Sequence, residues 1–99
     1  LIDNSPPEII IHTHEIQSDE INLQFSVADN NSILREVFYQ LDGKSQKSIR
    51  PVDGLFDSTR ENFTLNIDDL ASGGHSLLLE AVDELGNSAV LTVPFEVEN

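Results

Sequence analysis

Gly74-His75-Ser76-Leu77-Leu78-Leu79-Glu80-Ala81-Val82-Asp83-Glu84-Leu85-Gly86-Asn87-Ser88 reads as a strand running straight into a tight turn. Leu77, Leu79 and Ala81 recur at every second position, the period that puts alternate side chains on one face of a strand. Gly86 and Asn87 supply the backbone freedom and side-chain hydrogen bonding of a turn. The chain then returns from Ala89 to Val97, with Leu91, Val93, Phe95 and Val97 on one face. This hairpin needs partners on both sides, and the upstream chain supplies them.

The clearest partner is the alternating run Ile21, Leu23, Phe25 and Val27, interleaved with Asn22, Gln24 and Ser26. Asp29-Asn30-Asn31-Ser32 turns it into a strand with Val37, Tyr39 and Leu41 inward and Glu36, Phe38 and Gln40 outward, closed by the hairpin dipeptide Asp42-Gly43. Residues 44–52 read as an edge strand blunted by Lys44, Lys47, Arg50 and Pro51. In the following loop, residues 53–58, Phe56 is expected to cap one end of the core. Phe63, Leu65 and Ile67 alternate inward on a further strand, and Leu70 anchors the turn-rich corner before Gly74. At the start, Pro6-Pro7 precedes the β-branched run Glu8 to His12, an edge strand, and residues 14–19 read as its connection onward. Seven short strands without a helical period predict an all-β antiparallel sandwich, with residues 1–7 a linker and residues 8–98 one domain.

Composition bounds the function. A net charge of −13 opposes binding to phosphate backbones and to anionic membrane surfaces. No apolar stretch reaches the ~20 residues of a membrane-spanning helix. Without cysteine there is neither a disulfide nor thiolate chemistry. The absence of methionine, together with the proline-rich opening, leads us to expect a module cut from a longer protein.

Several residues carry chemistry that each has a plainer structural reading. Asp83 continues the core-facing register of Ala81, so it is expected to accept backbone N–H groups from the turn through Gly86 and Asn87; the functional reading makes it a calcium ligand with Asp29. His12 and His14, two apart on one strand side, have a spacing open to zinc, with Glu15 or His75 as a further ligand, but no third ligand has motif spacing. His75 is expected to pack its ring over the corner. No serine sits in a Gly-x-Ser-x-Gly elbow, and Asp68-Asp69 falls in a turn, so catalysis is not expected. Asn30-Asn31-Ser32 and Asn62-Phe63-Thr64 match the glycosylation sequon. The outward positions Phe38, Leu78, Val82 and Val90, rimmed by Glu36, Gln40, Glu80 and Thr92, form an apolar stripe open to docking a neighbouring domain or a second copy, or else to partial cover by residues 44–52 or by long side chains on the sheet.

The run Val37-Phe38-Tyr39-Gln40-Leu41-Asp42-Gly43, then Phe63-Thr64-Leu65, then Leu70 with Gly74-His75, then Ala81-Val82-Asp83-Glu84-Leu85-Gly86-Asn87, resembles a bacterial immunoglobulin-like or fibronectin type III-like module. The resemblance covers roughly Pro6 to Val97 and implies a seven-stranded antiparallel immunoglobulin-like β-sandwich. It also implies a spacer, prop or adhesive role in a secreted or cell-surface protein, extracellular or periplasmic. The cysteine pair and core tryptophan of antibody-type domains are absent. The leading expectation is thus a non-catalytic spacer or interaction module without cofactor. The alternatives are a calcium-stabilised adhesive module and a carbohydrate-binding module. Phe38 favours the carbohydrate reading, while the lack of tryptophan and the inward Tyr39 weigh against it.

Overall fold

The alternating segments become seven strands in the computed structural model, which describes residues 6–29, 32–52 and 59–98. They are β1 (Glu8–Gln17), β2 (Glu20–Ala28), β3 (Leu34–Leu41), β4 (Lys47–Ile49), β5 (Arg60–Ile67), β6 (Gly73–Asp83) and β7 (Ser88–Val97). A three-stranded sheet of order β1-β2-β5 faces a four-stranded sheet of order β4-β3-β6-β7, and every pairing is antiparallel. The expected architecture of an immunoglobulin-like β-sandwich is the one observed.

Between the sheets lie the side chains that the period of two points inward. Ile21, Leu23, Val27, Leu77, Leu79 and Ala81 are completely buried, and Phe25 stacks on Phe63 with ring centroids 5.1 Å apart. Burying each aliphatic or aromatic side chain contributes ~1.5–3 kcal/mol, which is what holds two sheets without a disulfide. Leu70 is buried and its N–H donates to the Asp19 carbonyl at 2.9 Å, so it anchors the corner as expected.

Two boundaries differ from the sequence reading. Residues 14–17 continue β1, pairing as far as Gln17 with Glu20, where a connection was expected. Their mostly polar, exposed side chains hide the strand, because backbone pairing to β2 holds it and burial does not. The reverse holds for residues 44–52, where only Lys47–Ile49 is strand and 44–46 are irregular. Phe56 and its loop lie outside the described residues.

The registers define two poles. Glu8 pairs with Ala28, the Asp29 N–H bonds the Thr59 carbonyl and the Glu84 N–H bonds the Ile33 carbonyl, so the start of β1 sits at one pole with Asp29 and Asp83. Val97 pairs with Gly73, and Leu41 with Leu77, so β7 ends at the other. The molecule measures 52 × 24 × 20 Å along its principal axes, and the chain enters and leaves at opposite poles.

Candidate functional site

At the first pole, β6 carries Asp83 to the last inward position of its alternation, where it is wholly buried. Asp83 Oδ1 accepts the N–H groups of Leu85 and Asn87, both at 2.9 Å, and Oδ2 accepts the Asn87 side-chain amide at 3.2 Å. Gly86, at φ +88°, donates its N–H to the Asp83 carbonyl at 3.2 Å. The carboxylate therefore builds the turn, as the sequence implied. Asp29 arrives from the end of β2, is itself buried, accepts the Ser32 N–H at 2.9 Å and hydrogen-bonds the Asp83 side chain. Burial pushes the Asp83 carboxyl up, but the hydrogen bonds from Asn87, Asp29 and Leu85 outweigh it and hold the group below its ordinary value. The structure thus brings together the two residues weighed as calcium ligands. Among the described residues, no third histidine or acidic side chain completes a group placed to hold a metal ion.

At the second pole, Asp42 and Gly43 both adopt positive φ, +51° and +74°, which reverses the chain after β3 and aims the Asp42 carboxylate at β6. Asp42 Oδ1 accepts the Ser76 N–H at 2.8 Å. His75 Nδ1 lies 2.7 Å from Asp42 Oδ2, and Nε2 lies 2.7 Å from the Ala71 carbonyl. Acceptors on both sides are satisfied together when each ring nitrogen carries an N–H, so the contacts favour the imidazolium. The Ala71 carbonyl and the Asp42 carboxylate raise its pKa, and the same contact from His75, with the Ser76 N–H, lowers that of Asp42. The ring stacks on Phe95 at a centroid distance of 5.3 Å. Asp, His and Ser are here in succession, yet Nε2 is held by a carbonyl and no ring nitrogen remains to activate Ser76. The neighbouring concavity of about 680 Å³, lined in part by Asp42, Ser76, Pro94 and Glu96, is an open surface hollow. The tie from His75 to Asp42 was missed from sequence because 33 residues separate them.

The pair His12 and His14 is taken apart. A bulge between Ile11 and Thr13 leaves His12 outside the register, and the extra residue reverses the alternation. His12 Nε2 sits 2.8 Å from the hydroxyl of Ser26 on the outer face, whereas His14 meets Phe95 edge-on at 6.5 Å. The two imidazoles therefore lie on opposite sides of the sheet, and the shared face required for a zinc pair does not exist. Of the sequons, Asn30 and Asn31 lie outside the described residues, and Asn62 and Thr64 are both exposed. Asp68 and Asp69 are exposed in a turn, Asp69 at φ +57°.

The outer face of the four-stranded sheet carries Phe38, Leu78 and Val82 half-buried and Val90 56% exposed. Register interrupts the stripe: Glu80 stands directly opposite both Phe38 and Val90, and its Oε1 accepts the Gln46 amide at 3.3 Å. Apolar and polar side chains alternate over this face like a checkerboard. Tyr39 packs against the core, and the Phe38 ring is half-buried on the outer face between Glu36 and Gln40.

No family model matches the sequence, and no curated protein matches it. Solved structures do. The PKD1 domain of Vibrio anguillarum Epp superposes with a TM-score of 0.71 at 12% identity, covering 97% of this chain and 98% of that one. The PKD1 domain from the Vibrio cholerae metalloprotease PrtV gives 0.69 at 10% identity, covering 96% of this chain and 100% of that one. At such identities the likeness is one of fold, and the chain is an immunoglobulin-like β-sandwich with the fold of those PKD domains.

Proposed function

We propose that this chain is a non-catalytic spacer module of a larger extracellular or cell-surface protein. The observation that carries the reading is the placement of its ends. β1 begins at one pole and β7 finishes at the other, along a 52 Å axis. A module threaded in this way holds its neighbours apart in series. The core is filled, and His75, Asp42, Asp83 and Asp29 are each engaged in holding a turn or corner. Where the module touches a neighbour, the outer face with Phe38, Leu78, Val82 and Val90 is the proposed contact. The test is replacement in the parent protein. An unrelated rigid β-sandwich of the same end-to-end length should restore whatever deletion of the module abolishes. Failure to restore it would refute the spacer role and point to the module's own surface.

A second reading, stabilisation by calcium, is favoured by the meeting of Asp29 and Asp83. A cation there would be held by the two carboxylates, with the rest of its six to eight oxygens supplied by carbonyls and water. Millimolar calcium should raise the melting temperature of the native chain and leave Asp83→Asn unchanged. An unchanged native chain removes this reading.

A further inference from the structure

β7 ends the four-stranded sheet, and its hydrogen-bonding parity can be worked out residue by residue. The Asp83 N–H bonds the Asn87 carbonyl at 3.0 Å, so Asp83 and the β6 residues two, four and six before it direct their backbone groups at β7. Their partners Asn87, Ala89, Leu91 and Val93 direct theirs back, as does Phe95 opposite His75. The even-numbered residues of β7 therefore point N–H and C=O away from the sheet. Pro94 falls in this outward set, where its missing N–H breaks no ladder bond. It also divides the edge. Beyond it, Phe95 is met by His14 of β1. Before it, Ser88 to Thr92 presents the outward backbone groups of Ser88, Val90 and Thr92, with no proline, no lysine and no bulge to blunt them. Among the described residues, β7 pairs with β6 alone.

Charge specifies the occupant. All five lysines and arginines precede residue 61, and eight aspartates and glutamates follow from 61 onward. The blunting lysine stands on the opposite edge, in β4. Glu80 lies directly beside Val90 on the outer face. A second copy of the chain, with a net charge of −13, would be repelled. We infer that Ser88–Thr92 is an acceptor edge for an extended basic peptide segment, which adds antiparallel or parallel to β7 as an extra strand and directs lysine or arginine across Val90 toward Glu80, one strand further in. The inference does not depend on the spacer reading, since binding at this edge is measured on the module alone.

The test is an NMR titration of the ¹⁵N-labelled chain with an octapeptide of alternating lysine and valine. Saturable shifts are expected at Ser88 to Thr92, with hydrogen exchange at Val90 and Thr92 slowed at least about ten-fold at saturation. Ala89 and Leu91, bonded to β6, should be protected throughout. The same octapeptide N-methylated at alternate backbone positions should lose the shifts, as should Val90→Pro, which like Pro94 removes an outward N–H. Three results would overturn the inference: equal binding of the N-methylated peptide; shifts spread over the acidic surface and retained in Val90→Pro; or Val90 and Thr92 amides already protected in the free chain. Concentration-dependent dimerisation through this edge would also overturn it, by making a second copy the occupant.

Discussion

Replacing His75 with glutamine should weaken the fold in a pH-dependent way. The imidazolium ties three segments together: its own strand β6, the Ala71 corner and the Asp42 turn after β3, at 2.7 Å on each side. A hydrogen bond with a charged partner contributes ~1.5–3 kcal/mol net. Asp42 is 31% exposed, so solvent screening places the pair in the lower part of that range, while the His75 ring is only 10% exposed. Glutamine keeps one neutral bond at most, so the expected loss is about 2 kcal/mol near pH 6. For a domain of this length that is ~10 °C in melting temperature. The pH dependence follows from the direction of each shift. His75 has a raised pKa in the folded state, so its contribution is complete below the unfolded value of about 6.5 and fades as pH rises through the folded value. Asp42 has a lowered pKa, so its contribution is present above about 3.9 and fades as pH falls through the folded value. The gap in melting temperature between the native chain and His75→Gln should therefore be widest near pH 5–6.5 and narrow toward pH 9. Thermal melts across pH 4–9, with the His75 Cε1 proton titrated by NMR, measure both. Parallel melting curves across that range, or a His75 titration at or below the value of an exposed peptide, would refute the doubly bonded imidazolium.

Four other outcomes follow from single contacts. Asp83→Ala removes a buried carboxylate that accepts three hydrogen bonds, and should cost about 3 kcal/mol in urea unfolding; a loss below ~1 kcal/mol would mean the turn holds itself. Phe25→Ala should cost ~3–5 kcal/mol, and a double-mutant cycle of Phe25→Leu with Phe63→Leu should show a coupling of ~0.5–1.5 kcal/mol from their stacked rings. Gly86→Ala meets open space around an added Cβ, so its cost is backbone strain alone, ~1–2 kcal/mol, and Gly86→Asn should recover part of it. Phe38→Ser with Leu78→Ser should disturb packing against the neighbouring domain in the parent protein, read by limited proteolysis of that junction; an unchanged cleavage pattern would leave the face ordinary surface.

Legibility divides along physical lines. Where one face is buried and the other wet, as at Ile21, Leu23, Phe25 and Val27, the period of two states both strand and facing, and the observed burial agrees residue by residue. Asp83 was legible for the same reason, because it extends an inward series into a turn. Residues 14–17 were not, since an edge strand held by backbone pairing leaves no apolar period. Ser26 shows the other limit. It occupies an outward position of β2, yet it is fully buried, because His12 and Arg60 reach across neighbouring strands to its hydroxyl at 2.8 and 3.5 Å. Glu61 likewise takes an inward position opposite Val27 and is buried, against the expectation for a charged side chain.

The candidate sites turned on features that spacing alone does not encode. A single bulged residue at His12 separates two histidines that any regular strand would have placed side by side. Conversely, pairing of β3 with β6 brings Asp42 to His75 across 33 positions, and the facing of the two sheets brings Asp29 to Asp83 across 54. Both assemblies sit at ends of the sandwich, where turns leave backbone N–H and C=O groups that no ladder satisfies. A carboxylate or an imidazolium placed there bonds those groups and one another, and desolvation raises the cost of leaving any of them unmade. The same demand explains why these carboxylates and the His75 ring are engaged, whereas backbone groups stay outward along the edge strands, β7 among them. Chemistry toward a partner is therefore expected along that edge and the adjoining outer face, where Val90 is exposed beside Glu80.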